Sequence, residues 1–467
     1  MRQAARRRRW TGAVTIVVLA AFATATIARS PSAPPPVDDF VGLGDPIAPA
    51  GVAAGRPLDV AAGRGEPAPH LLAYDAGCID LSSASTLTSA MRDGFGPLVA
   101  FDGVHASALS GGGQFWIVQD AYLNFTGAPP VRLTDLQYTN NVAVAFDADG
   151  CGTVLVQRPN ENRRVSFEYG VGEVTRGRFF WPLGITERGG VISVVWSSME
   201  LSDEEPDAWE GIARHPVDTW IATYDPANFG RMTFDPATAP GVDPQWGFEV
   251  ETDDEWTYLF ANANLLNLAR SGGVDAGPHP STQMFVGRVP AGDLSESAAV
   301  WDGDGWVPIG RASPASISTR GYFANQMHPR RIGDLWVSVT ALEEFWGDEM
   351  VVDVASAPQG PWYEAQRIDL DRDRPDADQV SYHPTLLPVA DGATSVPVVV
   401  SYNAAVWDEA LADAGRYRPE FVDLDLADLR GALARAETMA VRSSAAGERE
   451  PTAGGLGILS APEDTGG

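Results

Sequence analysis

Phe115-Trp116-Ile117-Val118-Gln119-Asp120-Ala121-Tyr122 is the stretch on which the fold turns. Four apolar residues, each aromatic or β-branched, lead through one glutamine into an acid. The run is too short for a buried helix, and its residue types favour a strand buried on both faces. Similar runs recur down the chain, at Val142-Ala143-Val144-Ala145-Phe146, Val191-Ile192-Ser193-Val194-Val195-Trp196, Trp256-Thr257-Tyr258-Leu259-Phe260, Leu335-Trp336-Val337-Ser338-Val339 and Val398-Val399-Val400-Ser401-Tyr402. Gly, Asp, Asn or Pro bounds each of them. Asp147-Ala148-Asp149-Gly150 and Asp302-Gly303-Asp304-Gly305 read as hairpin turns. No long helical periodicity interrupts the series, which disfavours parallel α/β folds.

Five of these runs lead groups of strands: Phe115–Val118, Val191–Trp196, Trp256–Phe260, Leu335–Val339 and Val396–Tyr402. Their spacing of roughly 60–80 residues leaves room for a four-stranded blade and a long loop each. Five groups predict an all-β, five-bladed β-propeller over residues 71–424. A two-sheet sandwich is the competing architecture. Leu424, Leu426, Leu429, Leu433 and Ala436 then fit one short amphipathic helix. The small, polar remainder of segment 425–467 reads as a disordered tail.

Ahead of the propeller, Arg6–Arg9 precede an uncharged apolar run from Trp10 to Ala28, with small residues at its end. That pattern predicts a signal peptide over residues 1–28, or a signal anchor if it is not cut. Either way the rest of the chain lies outside the cell: secreted, or held to the membrane only by that segment. Residues 29–70 are a Pro/Ala/Gly-rich linker. Cys78 and Cys151 are the two cysteines of the chain. In an exported chain they read as a disulfide closing a loop of roughly 70 residues, and two buried free thiols are the alternative.

The chain of 467 residues carries a formal charge of −29 and no lysine. Such an acidic surface repels nucleic acid and anionic membranes, and suits a monomer without a nucleic-acid partner. Lacking lysine, the chain cannot form a Schiff base. No phosphate loop, zinc-protease motif or nucleophile elbow is present, so no cofactor is expected. Asp369-Leu370-Asp371-Arg372-Asp373 alternates carboxylates as calcium loops do, but without their Gly and closing Glu it reads as a solvated loop, and no metal site is expected.

Propellers place their sites where the inner strands converge. Asp102, in Phe101-Asp102-Gly103-Val104-His105, begins an apparent inner strand, and Asp120 ends the run quoted first. Two such carboxylates suit glycoside hydrolysis, one as acid and one as base or nucleophile. His105, His328, Tyr382, His383 and Asn403 sit at strand ends, where they could hydrogen-bond sugar hydroxyls. Trp181 could stack on a sugar ring or pack in the core. Glu249 and Glu251 are candidates for a general acid, but read first as surface charges.

Several segments together resemble a family of exported five-bladed propellers of high-GC bacteria, long known as a domain of unknown function. They are Trp116-Ile117-Val118-Gln119-Asp120, Phe180-Trp181-Pro182-Leu183-Gly184, Ala355-Ser356-Ala357-Pro358-Gln359-Gly360-Pro361-Trp362 and Tyr382-His383-Pro384 leading to Val400-Ser401-Tyr402-Asn403. The resemblance spans roughly residues 95–405. It implies endo-D-arabinanase activity on mycobacterial-type wall arabinan, and a more distant likeness to arabinanase and xylosidase propellers. It also implies catalysis by two aspartates on adjacent early strands, which map to Asp102 and Asp120. Family members often carry Gly-Asp-Thr at the second aspartate, where this chain has Gln119-Asp120-Ala121. The expected function is therefore a secreted or wall-associated glycoside hydrolase with a poly- or oligosaccharide substrate. A carbohydrate-binding or envelope-associated propeller without catalysis is the alternative.

Overall fold

A computed structural model of the chain describes residues 68–93, 95–126, 132–157, 165–170, 178–201, 214–238, 244–263, 282–320, 327–342, 349–370, 379–404 and 407–445. The signal or anchor segment, the linker up to residue 67, the tail beyond 445 and Asp371–Asp373 lie outside the described residues. Among the described residues, no helix is long and apolar enough to cross a membrane.

Among the described residues, twenty-two strands form five antiparallel sheets, which are the five blades of a propeller. The first blade holds β1 (Leu71–Cys78), β2 (Leu98–Ala108), β3 (Gln114–Leu123), β4 (Gln137–Phe146) and β5 (Cys151–Gln157), in the order β1-β5-β4-β3-β2. The second runs β6 (Phe179–Arg188), β7 (Val191–Leu201), β8 (Arg214–Tyr224) and β9 (Arg231–Pro236). The third runs β10 (Gln245–Thr252), β11 (Trp256–Ala263), β12 (Thr282–Pro290), β13 (Ala299–Trp301) and β14 (Trp306–Pro308), while β15 (Ser318–Arg320) also pairs with β12. In the fourth are β16 (His328–Ile332), β17 (Leu335–Ala341), β18 (Glu349–Ala355) and β19 (Tyr363–Asp369). The fifth has three strands, β20 (Gln379–Leu386), β21 (Ser395–Ala404) and β22 (Glu420–Asp425). The innermost strands β2, β6, β10, β16 and β20 touch in turn around the axis, and β20 returns to β2. The five runs read as group leaders are the second strands, β3, β7, β11, β17 and β21. Both faces of these strands are covered by neighbouring blades, which is why they read as unbroken apolar runs.

The core is divided among the blade interfaces. One cluster joins blades one and two through Phe115, Ile117, Leu155, Phe180 and Trp196. Another joins two and three through Leu183, Val195, Trp246 and Leu259. Phe260, Met284, Met327 and Trp336 join three and four, and Val337, Val352, Val398 and Tyr402 join four and five. A fifth cluster joins Trp116, Val118 and Phe146 of the first blade to Val399 and Phe421 of the last, and so closes the ring. A sandwich has one such interface, so this arrangement excludes that architecture.

Among the described residues the last blade has three strands, and helix α1 (Ala84–Asp93) lies against its outer one, β22. Its Ala84, Leu87 and Met91 are buried, at the spacing of one helix face. The Ala84 amide donates to the Asp423 carboxylate at 3.2 Å, and the Phe421 amide donates to Thr88 Oγ1 at 3.0 Å. Helix α2 (Trp407–Ala412) follows β21. Helix α3 (Leu426–Ala445) starts on Asp425, whose carboxylate accepts from the Ala427 and Asp428 amides at 2.7 and 3.0 Å. It buries Leu426, Leu429 and Ala436, the stripe seen in the sequence, while Leu424 belongs to β22. Cys78 and Cys151 face each other across β1 and β5 and form a disulfide. Both expected aspartate turns are present: Asp147 Oδ1 accepts from the Asp149 and Cys151 amides, and Asp302 Oδ1 from those of Asp304 and Gly305.

Candidate functional site

The inner strands carry polar side chains inward at three levels along the propeller axis. Alternate residues of a strand share a face, so His105 and Ser107, Glu249 and Glu251, and His328 and Arg330 fall on successive levels. At one mouth stand Asp102 and Trp181. In the middle are His105, Gly184, Glu249, His328 and His383. At the other mouth Ser107, Thr186, Glu251 and Arg330 line a cavity of about 190 Å³.

Four of the five inner strands are bulged near the same level. Register shifts fall at Asp102–Val104 in β2, Pro182–Ile185 in β6, Trp246–Glu249 in β10 and Tyr382–Thr385 in β20. A bulge bends a strand and re-aims its side chains. Gly103 and Gly247 take the positive φ that two of these bends need, at +43° and +78°. In β20 the residue at the bend is His383 itself, with φ +52°. Asp120 also has positive φ, +44°, and is skipped by the β3–β4 ladder between Gln119 and Ala121. Such backbone costs on the order of 1–3 kcal/mol for a non-glycine residue and clusters at functional sites.

Asp102 lies across the β2–β3 ladder from Gln119, the neighbour of Asp120. Both aspartates are buried. Asp102 Oδ2 accepts from the hydroxyls of Tyr382 and Tyr417 at 2.9 and 2.7 Å. Asp120 Oδ1 accepts from the Tyr138 hydroxyl at 2.5 Å and from the Trp181 indole N–H at 3.1 Å. Burial, reinforced by the Asp102 charge, pushes the Tyr382 and Tyr417 hydroxyls well above the ordinary tyrosine value. Both therefore remain protonated donors. Asn403 hydrogen-bonds the Tyr382 side chain, and Ser401 Oγ accepts from the Gly103 amide at 2.9 Å. The mouth thus draws on the first, second and last blades. Trp181 is half-buried, tied to Asp120 through its nitrogen and packed edge-on against Phe179.

The structure brings Asp102, Asp120, Trp181, Tyr382 and Asn403 into one neighbourhood. His105, His328 and His383 gather one level below. Among them is Glu249, which is not a surface charge: 2% of it is exposed. Its Oε1 lies 3.0 Å from His328 Nδ1 and 3.2 Å from His105 Nδ1. Burial works to raise this carboxyl, but the two histidines outweigh it and hold the group below the ordinary range. Burial lowers His328 and lowers His383 further, so both are neutral near pH 7. Glu251 is not on the open surface either. Burial raises its carboxyl to about 7, with a further push from Glu249 and an opposing pull from Arg330, whose Nη1 stands 3.0 Å away. Sequence reasoning also missed Tyr138 and Tyr417. Each is an ordinary tyrosine in its local sequence, and Tyr417 meets Asp102 across 315 positions.

No curated protein matches the sequence. Among solved structures, a candidate hydrolase from Bacteroides ovatus superposes with a TM-score of 0.52 at 14% identity, over 77% of this chain and 92% of that one. That likeness is one of fold. A GH43_1 enzyme from Xanthomonas citri matches at 10% identity and TM-score 0.35, over 70% of this chain and 88% of its own. An α-L-arabinofuranosidase from Podospora anserina, solved with cellotriose, matches at 9% identity and TM-score 0.39, over 70% and 91%. The profile described as Domain of unknown function (DUF5005) matches residues 96–426, which include every blade but for β1, and the chain therefore belongs to the DUF5005 family.

Proposed function

We propose that this protein is a secreted or wall-associated glycoside hydrolase that cuts arabinan-type furanoside polymers, with Asp102 and Asp120 as its catalytic carboxylates. One observation carries the reading: two aspartates from adjacent strands of the first blade occupy one mouth of the propeller, each held by two aromatic donors. Hydrogen bonds from neutral donors fix a carboxylate's direction and favour its charged form. Glycoside hydrolysis needs two carboxyl groups across the scissile bond, one to protonate the leaving oxygen and one to assist the attack on the sugar. The half-buried Trp181 presents an apolar ring beside them, the kind of surface on which a sugar packs. The net charge of −29 disfavours an anionic substrate.

The test is product release from purified arabinogalactan and lipoarabinomannan by wild type, D102N and D120N. The amides keep size and most hydrogen bonding, so the fold survives. Oligosaccharides from the wild type, with rates down roughly 10²–10⁴-fold in each variant, support the assignment. Wild-type rates in both variants would remove the aspartates from the chemistry. Polysaccharide bound equally by wild type and D102N, with no products from either, would make the protein a carbohydrate-binding propeller.

A further inference from the structure

The middle level of the channel has no part in the proposed hydrolysis, yet it concentrates chemistry. Glu249, His105 and His328, from the third, first and fourth blades, each offer one ligand atom, and the three atoms lie within 4.8 Å of one another. The residues are 2%, 1% and 1% exposed. The carboxylate oxygen is 3.0 and 3.2 Å from the two imidazole nitrogens. Bonds of about 2.0–2.1 Å to one tetrahedral ion place ligand atoms roughly 3.3 Å apart, close to that spacing. Hydrogen bonds alone leave the level incomplete. His105 Nδ1 lies 3.2 Å from Glu249 Oε1, yet is buried with no hydrogen-bond partner among the described residues. An orphaned polar atom of this kind costs about 1–3 kcal/mol.

Around this trio the channel is built as a wall. The His383 ring from the last blade lies 4.6 Å from that of His328 and 5.6 Å from that of His105, centroid to centroid. Phe248 packs against all three imidazoles at 5.0 to 6.0 Å. The second blade brings Gly184 to this level, where a Cβ would lie 2.5 Å from the Val250 amide nitrogen.

We propose that His105, His328 and Glu249 form a site for one divalent transition-metal ion of the zinc class, with His383 closing its fourth side, and that the ion ties the inner strands together. Two imidazoles and one carboxylate suit zinc, which takes nitrogen and oxygen donors at low coordination number. Calcium needs six to eight oxygens, and this level offers one carboxylate. The proposal does not depend on the glycosidase reading.

It is tested on the purified full chain, stripped with a chelator and reloaded. Zinc is expected to bind at about one equivalent, and Tm to rise by roughly 3–4 °C when zinc stands a hundredfold above its Kd. Cobalt(II) is expected to give the intense visible absorption of a low-coordinate nitrogen-ligated site. In E249Q and H328A both responses are expected to vanish. Should either variant fail to fold, the wild-type cobalt spectrum and stoichiometry decide alone. No zinc uptake by the wild type, an octahedral cobalt spectrum, zinc retained equally by folded variants, or a Tm that rises with calcium and not with zinc would each overturn the proposal.

Discussion

Glu251 makes stability fall as pH rises, the opposite of what a carboxylate held by a salt bridge or hydrogen bonds does. Its pKa is raised from 4.5 to about 7, first by burial, while Arg330 opposes the rise and Glu249 adds to it. Only 14% of its side chain is exposed, so solvent does little to soften the effect. A folded-state pKa above the unfolded value means that the native state holds its proton longer. Between pH 4.5 and 7 the native chain binds more protons than the unfolded one, and stability falls as pH rises. At about 1.36 kcal/mol per pH unit, a rise from 4.5 to about 7 amounts to roughly 3 kcal/mol, lost as pH climbs through 7. Replacing Glu251 by Gln removes the titration. The guanidinium of Arg330 keeps its bonds to the carbonyls of Leu386 and Ala106, at 3.0 and 2.7 Å. The assay is Tm by calorimetry for wild type and E251Q at pH 4.5, 5.5, 7 and 8. The difference, wild type minus variant, is expected to drop by roughly 5 °C across that range for a chain of this length. A difference that stays flat, or that grows with pH, refutes the reasoning.

Removing the disulfide with C78S/C151S releases a crosslink between residues 73 positions apart. The loop-entropy relation gives a loss of about 4.4 kcal/mol, read as a Tm lower by roughly 6 °C in a calorimetric scan. Gly184→Ala would drive a methyl group into the Val250 side chain and to within 2.8 Å of the Glu249 carbonyl carbon. Overpacking of backbone against backbone should cost about 1–3 kcal/mol or more, and chemical denaturation should show a lower midpoint with an unchanged slope.

The blades were legible because their second strands are covered on both faces. Val191–Trp196 and Leu335–Val339 announce themselves as apolar runs whatever surrounds them. The inner strands do not. Leu98–Ala108, Gln245–Thr252 and Gln379–Leu386 mix polar and apolar residues and are interrupted by bulges. Their inward side chains face a polar channel, so hydrophobic alternation, the signal for a buried strand face, is missing there. From sequence, Glu249 therefore reads as a surface charge. What makes it central is His105 and His328, and the pairing of 249 with 328 spans 79 positions. Asp102 and Asp120 could be singled out because an acid beside a buried strand is costly wherever it falls. Their tyrosine partners could not, since each tyrosine has an ordinary local setting. The covalent staple was readable from cysteine arithmetic alone. Blade closure through α1 was not, because a helix lying against an outer strand leaves no periodic trace in the strands it covers.

The contacts that shape the mouth around Asp102 come from both ends of the domain. Within each blade, strands pair mostly with sequence neighbours, so a sheet can form as soon as its own residues are available. The tyrosines that hold Asp102 arrive 280 and 315 positions later, and the amide of Ala84 finds Asp423 across 339. Local sheets form early and long loops close late. A chain released from the ribosome four blades long has its strands but no finished mouth. Whatever this site does, it begins to do only when the ring shuts, which makes its function a reporter of the last folding step.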